Sequence, residues 1–211
     1  MTGTGVDCGR LRILVVNKFW YRRAGLQRVM FDESEWLEAA GHKVAHFSTQ
    51  HPENDSSPWS TYFAPYLEIG RATTLGARDK SIATGRMFWN AVAARRFAQL
   101  LRDFRPEIVH IHGIHRQISL SILAEARRAG IPVVQTLHDY HPICASGDLL
   151  RGGRSACDPP RCGSANVLPC VIHSCVHGSR TRSVLGACEL LWRRWIVGQE
   201  RLVDAFISPS R

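Results

Sequence analysis

Along residues 12–17 the chain reads Arg-Ile-Leu-Val-Val-Asn. An unbroken apolar run of strand length, rich in β-branched residues, is the pattern of a strand buried on both faces. From Gly25 onward Leu26, Val29, Met30, Leu37 and Ala40 recur at helical spacing, and Gly41 closes the run, so this stretch predicts a helix with one inward face and a glycine turn after it. Residues 43–48 return to strand character and complete a βαβ unit. The alternation then repeats. Phe88, Val92, Phe97, Leu100 and Leu101 predict a helix over 87–104 that Pro106 stops, and residues 107–113 predict a strand. Residues 117–129 read as helix, Gly130 as a turn, and 131–138 as a strand with Pro132 at its start. A helix over about 183–203, marked by Leu185, Leu190, Leu191, Trp195 and Leu202, leads to a short strand at 205–208. Strands alternating with helices predict an α/β, Rossmann-like, open and mostly parallel sheet flanked by helices.

Two stretches break the alternation. Residues 49–86 mix His, Pro, Asp, Ser and Gly with Trp59, Tyr62, Phe63 and Tyr66 and suggest no regular element. Residues 139–182 are rich in Gly, Pro, Ser and Cys, the composition of a long Cys/His-rich loop insertion lying over the carboxyl ends of the strands. Residues 1–10 read as a flexible tail and lack the basic patch and apolar block of a secretory signal. No run reaches the roughly 18 apolar residues of a membrane span, which points to a cytoplasmic protein. Lys and Arg exceed Asp and Glu by 27 to 18, a formal charge of +9, favouring phosphate esters or an anionic membrane surface as partners. No base-stacking or helix-turn-helix signature accompanies that charge, so nucleic acid is not an expected partner.

In such sheets ligands bind beyond the carboxyl ends of the strands, where loops converge and helix amino-termini present free amides. Three places fall there. Gly25 opens the first helix, with Arg22, Arg23 and Arg28 close by to add charge, and suits phosphate approach, although an ordinary strand-to-helix turn has the same look. His112 ends the third main strand and His138 the fourth; imidazoles there suit sugar hydroxyls or proton transfer, the bland reading being histidines that merely cap strand ends. Cys157, Cys162, Cys170 and Cys175, with histidines interleaved, suggest a structural zinc site, but no CxxC pair occurs and buried thiols account for the pattern better, with disulfides the least favoured in a reducing compartment. No Ser-His-Asp order or paired-carboxylate motif supports a hydrolase.

Residues 13–21 (Ile-Leu-Val-Val-Asn-Lys-Phe-Trp-Tyr), then Gly25 and Arg28, then Leu37, Gly41, His42, Lys43 and Val44, resemble the opening of family 4 glycosyltransferases. Residues 106–112, 132–140, the segment from Cys144 to Cys175 and residues 206–210 resemble later landmarks of the same amino-terminal domain. The resemblance implies one half of a GT-B fold: residues 1–211 as a single acceptor-side domain, with the carboxy-terminal donor-binding domain absent from the chain, which would then be a fragment, a truncated reading frame or one half of a split enzyme. It implies a retaining transfer of a sugar from a nucleotide-sugar donor to a glycan or lipid-linked acceptor, in envelope or exopolysaccharide biosynthesis. No cofactor or metal is required for that chemistry, and activity of this half alone is not expected. Gly25 and Arg28 would meet the donor phosphates, His138 would be the catalytic contact to the donor sugar, and His112, Asp139 and Tyr140 would contact sugar or acceptor. The stretch Ala24-Gly25-Leu26-Gln27 departs from the paired glycines and Glu usual in that family. A second reading keeps the scaffold as a non-catalytic module whose insertion binds metal.

Overall fold

The computed structural model describes residues 9–66, 76–157, 162 and 166–209. Most of the expected tail, with Cys8, lies outside these residues, as do residues 158–161 and 163–165 of the insertion and Ser210 of the last landmark. In chain order the strands are β1 (Arg12–Asn17), β2 (Lys43–Phe47), β3 (Thr49–Gln50), β4 (Ala64–Pro65), β5 (Ile108–Gly113), β6 (Val133–Thr136), β7 (Leu150–Arg151), β8 (Ser155–Ala156) and β9 (Ala205–Ile207). The α-helices are α1 (Gly25–Ala39), α2 (Ala77–Phe88), α3 (Ala91–Phe104), α4 (Ser121–Arg128), α5 (Leu168–Ile172) and α6 (Arg180–Leu191).

The five segments with strand character in the sequence form one parallel sheet in the order β2-β1-β5-β6-β9, a Rossmann-like α/β architecture. Side chains alternate across it. Leu14, Val16, Ala45, Phe47, Val109, Ile111 and Val133 meet Phe97, Leu100, Ile122 and Leu123 of α3 and α4 in the larger core. Ile13, Val15 and Val44 face the other way and meet Met30 and Phe31 of α1. Between β1 and β5 the pairing runs Val16 with Ile111 and then Asn17 with Gly113, so His112 has no residue opposite it. A bulge of this kind re-aims the side chain it carries.

Element ends follow local chemistry where partners are local. Gly41, with φ of 91°, takes the left-handed turn after α1. The inward face of α1 is Gln27, Met30, Phe31 and Ser34, which leaves Val29 exposed. The helix expected over 87–104 is two: α2 ends at Phe88, Trp89 is extended, and α3 restarts with Asn90 as its cap. The Asn90 side chain accepts from Ala93 N at 3.0 Å and donates to Gln117 O at 2.9 Å, while its own N–H donates to Ser119 Oγ at 2.9 Å. The helix expected over 183–203 starts earlier, capped by Ser179, and after Leu191 loosens into a π-type turn over Trp192–Val197. The wider turn sends Arg193 inward and leaves Trp195, expected on the buried face, 68% exposed. Residues 49–66 supply a two-stranded parallel pair, β3 with β4. The insertion has its own small core of Ala145, Cys162, Cys170, Val176 and Leu190.

Replacing Asn90 by Ala removes a helix cap and strands two buried partners, and should cost roughly 2–4 kcal/mol of stability. Urea denaturation measures this; an unmoved midpoint refutes the account of the helix break.

Candidate functional site

At the carboxyl end of the sheet, α1 begins with Ala24 as a cap that offers no side-chain acceptor and with no acidic residue in its first turn. Its first amides and dipole are therefore open to an anion. Arg22, Arg23, Ala24, Gly25, Arg28 and Asp32 line an open cleft of about 580 Å³ there. A Cβ built on Gly25 meets nothing within 4 Å, so the packing of this chain does not itself demand glycine. Arg28 is exposed and stands 3.9 Å from Asp32. Arg22 is already paired, with Glu35 at 2.7 Å, and its guanidinium covers the Phe31 ring.

At the same end of the sheet, beyond β5 and β6, the expected histidines meet directly. His112 Nδ1 and His138 Nε2 are 2.9 Å apart, with the rings stacked at 25°. His112 is buried and His138 half-buried. Behind them lies a set of residues that no sequence motif marks. Glu33 of α1 stands 2.8 Å from His110 Nδ1 and 3.6 Å from His112 Nε2. His110 Nε2 is 2.8 Å from Thr136 Oγ1. The signal was available in part: positions 110 and 112 share one face of a strand, and both sit where apolar residues are the rule. Glu33, His110 and His112 come within 4.8 Å of one another, the one such group with ligand-type side chains among the described residues, and it contains no cysteine. Both nitrogens of His110 are committed to protein partners, Glu33 and Thr136.

Asp139 follows His138 and is held by the insertion: its Oδ1 accepts from His141 N at 3.0 Å and its Oδ2 is 2.9 Å from His141 Nδ1. Burial pushes the Asp139 carboxyl up, but His141 and the Lys18 ammonium outweigh it and the net shift is downward. Lys18, at the end of β1, is itself lowered by burial, with Asp139 opposing and Arg116 and Arg23 adding to the shift. Lys18 and Asp139 thus face one another electrostatically across the strand tips. Tyr140 is 52% exposed, its backbone tied to Gly147. Deeper in, His141 stacks on His115 at 4.8 Å and Arg193 reaches both, through His115 Nδ1 at 3.3 Å and His141 O at 2.7 Å.

In the insertion, Cys162 and Cys170 are buried and Cys157 and Cys175 half-buried. A hydrogen bond from Cys170 pulls the Cys162 thiol down to about 7 and, with burial, pushes Cys170 up. Gly152 N donates to Cys175 Sγ at 3.4 Å. Across the described residues, no helix is long and apolar enough to cross a membrane.

Residues 24–210 match the family model of the glycosyl transferase 4-like domain. A search of the curated proteins gave no match. Among solved structures, an alpha-glucosyltransferase in complex with UDP and a 13-mer DNA containing a HMU base is similar at 12% identity and a TM-score of 0.35, over 63% of this chain. The chain spans 30% of that structure's length. So slight a likeness says nothing about ligands.

Three buried rings govern the acid response. Burial lowers His46, stacked on Trp20, to about 4 and His112 to about 2, and holds His115 well below its ordinary value of 6.5, with neighbouring charges adding for the last two. The unfolded chain then binds more protons than the folded one below pH 6.5. Stability is complete above that pH and falls as the pH drops, by up to about 1.4 kcal/mol per pH unit for each ring. Melting temperatures between pH 7.5 and 5 should show a steep decline; a flat profile refutes the neutral burial of these rings.

Proposed function

The chain belongs to the glycosyl transferase 4-like family, and on that premise we propose that it is the acceptor-side half of a GT-B sugar transferase. It works with a donor-binding half to move a sugar, with retention, from a nucleotide-sugar to a glycan or lipid-linked acceptor in envelope or exopolysaccharide assembly. The observation that supports this reading is that one end of a parallel sheet carries both an uncapped helix start flanked by arginines and a hydrogen-bonded histidine pair. Anionic and hydroxyl-bearing parts of one ligand need those two kinds of surface side by side.

In the mechanism that follows, the donor diphosphate lies at Gly25 and the amides behind it, with Arg28 adding positive charge from its exposed position. His138 hydrogen-bonds a hydroxyl of the donor sugar and fixes the anomeric carbon. The acceptor hydroxyl, positioned by Asp139, Tyr140 and the loop that follows His112 and β5, approaches from the face the diphosphate leaves; the His112 ring, with none of its side chain exposed, backs His138 instead of touching the sugar. Its oxygen bonds to the anomeric carbon as the carbon–phosphate oxygen bond breaks, and its proton passes to the departing phosphate oxygen. The protein contributes orientation and charge stabilisation rather than a base of its own. The net charge of +9 suits work at an anionic inner membrane face.

In a transfer assay of the chain together with its donor-binding half, His138→Ala should lower kcat by roughly a hundredfold while circular dichroism shows the fold intact. Full turnover in that variant rules out the assignment. Gly25→Leu fills open space and should leave the fold intact while raising the donor KM about tenfold or more, equivalent to about 1.4 kcal/mol of binding. A donor KM unmoved by this side chain means the diphosphate lies elsewhere.

A further inference from the structure

We infer that Glu33 is a positioning residue, which through His112 sets the tautomer of His138 and leaves a bare, proton-accepting Nδ1 open to solvent. A carboxylate only accepts, so the nitrogens beside it present N–H groups where they can. Glu33 Oε1 is 2.8 Å from His110 Nδ1, and Thr136 Oγ1 completes the other side of that ring. His112 Nε2, 3.6 Å from Glu33 Oε2, has no hydrogen-bond partner and is sealed from solvent. A nitrogen lone pair aimed at a carboxylate in so buried a place is repelled, whereas an N–H is attracted.

His112 is neutral in this setting, because burial comes first among the effects that hold its pKa down. A neutral ring has one proton. If that proton is on Nε2, facing Glu33, then Nδ1 carries a lone pair, and the 2.9 Å contact to His138 must be donated by His138 Nε2. His138 is neutral as well, lowered by burial against the opposing pull of Asp139 and Glu33. Its one proton is then committed to His112, and Nδ1 is bare. That Nδ1 has no partner among the described residues and is not among the atoms sealed from solvent, so it is free to accept a hydrogen bond from a ligand hydroxyl. The opposite arrangement, with His112 Nδ1 donating to His138, places a lone pair against Glu33 and gives His138 an outward N–H. Glu33 selects between the two. Its carboxylate lies one ring further from the ligand than any residue placed in contact with substrate above.

The consequence for turnover rests on the transferase reading; the tautomer does not, and spectroscopy on this chain tests it alone. Long-range proton–nitrogen spectra of the chain with 15N-histidine at pH 7.5, assigned with His138→Ala and His112→Ala, report which ring nitrogens carry protons. The expected result is Nε2–H on both His112 and His138 in the parent chain. Glu33→Leu should convert a substantial share of His138 to the Nδ1–H form, and the isosteric Glu33→Gln serves where the leucine variant fails to fold. Nδ1–H on His138 in the parent chain, or tautomers unmoved in both variants, overturns the inference. So does stoichiometric zinc binding abolished by Glu33→Gln, which assigns the same side chains to an ion instead. In the transfer assay Glu33→Gln should lower kcat roughly tenfold or more while sparing the donor KM, as for other residues that act by holding a histidine tautomer. Absence of transfer by the parent protein counts against the transferase reading and leaves the spectroscopic result standing.

Discussion

A parallel sheet covered by helices on both faces denies its central strands any contact with water, so each polar side chain placed on them must find its partner inside the protein. β5 carries two such side chains on the face covered by α1. His110 and His112 are answered by Glu33 from α1, Thr136 from β6 and His138 just beyond β6. Apolar packing is non-directional and leaves a helix some freedom to slide over a sheet. The polar contacts remove that freedom, because Glu33 can bracket both rings from only one position along α1. The same position sets the amino-terminus of α1 beside the strand tips, where Leu26 packs 3.4 Å from the space a Cβ at Gly113 would take.

The insertion is fastened to this end of the sheet by a second buried polar group. Arg193 and Glu189 are each only 3% exposed at the side chain and lie 3.0 Å apart. Burying such a pair costs more desolvation than its attraction returns unless further hydrogen bonds are made. Arg193 makes them to His115, beyond β5, and to the backbone of His141, in the insertion. One guanidinium therefore joins the carboxy-terminal helical segment, the tip of the sheet and the start of the insertion. His141, held in this way, in turn holds Asp139 through its backbone and ring nitrogens.

Much of this was legible in the residues. Residues 13–16 are an apolar, β-branched run, residues 107–113 set Ile108, Val109 and Ile111 around two histidines, and all five segments of strand character pair in the sheet. Gly25 opens α1, His112 lies near the end of β5 and His138 just beyond β6. The break at Trp89 and Asn90 was not legible, because Asn90 is held by Ser119 and Gln117, 29 and 27 residues away. The π-type turn that brings Arg193 inward was hidden for the same reason: its partner His115 lies 78 residues earlier. Glu33 sits in a helix among Asp32, Glu35 and Glu38, and nothing local sets it apart from its exposed neighbours.

The sequence by itself determined the alternation of the five sheet strands with helices and the glycine turn after α1. Each of these depends on periodicity and backbone preference within one or two turns of chain. Tertiary structure alone decided which histidines touch, which acidic residue reaches them, and that Arg22 is drawn to Glu35 while Arg28 stays exposed. Hydrogen bonds act over about 3 Å. Residues separated by many positions come within that reach only after the sheet has closed, so the polarity of the site is a property of the assembled fold.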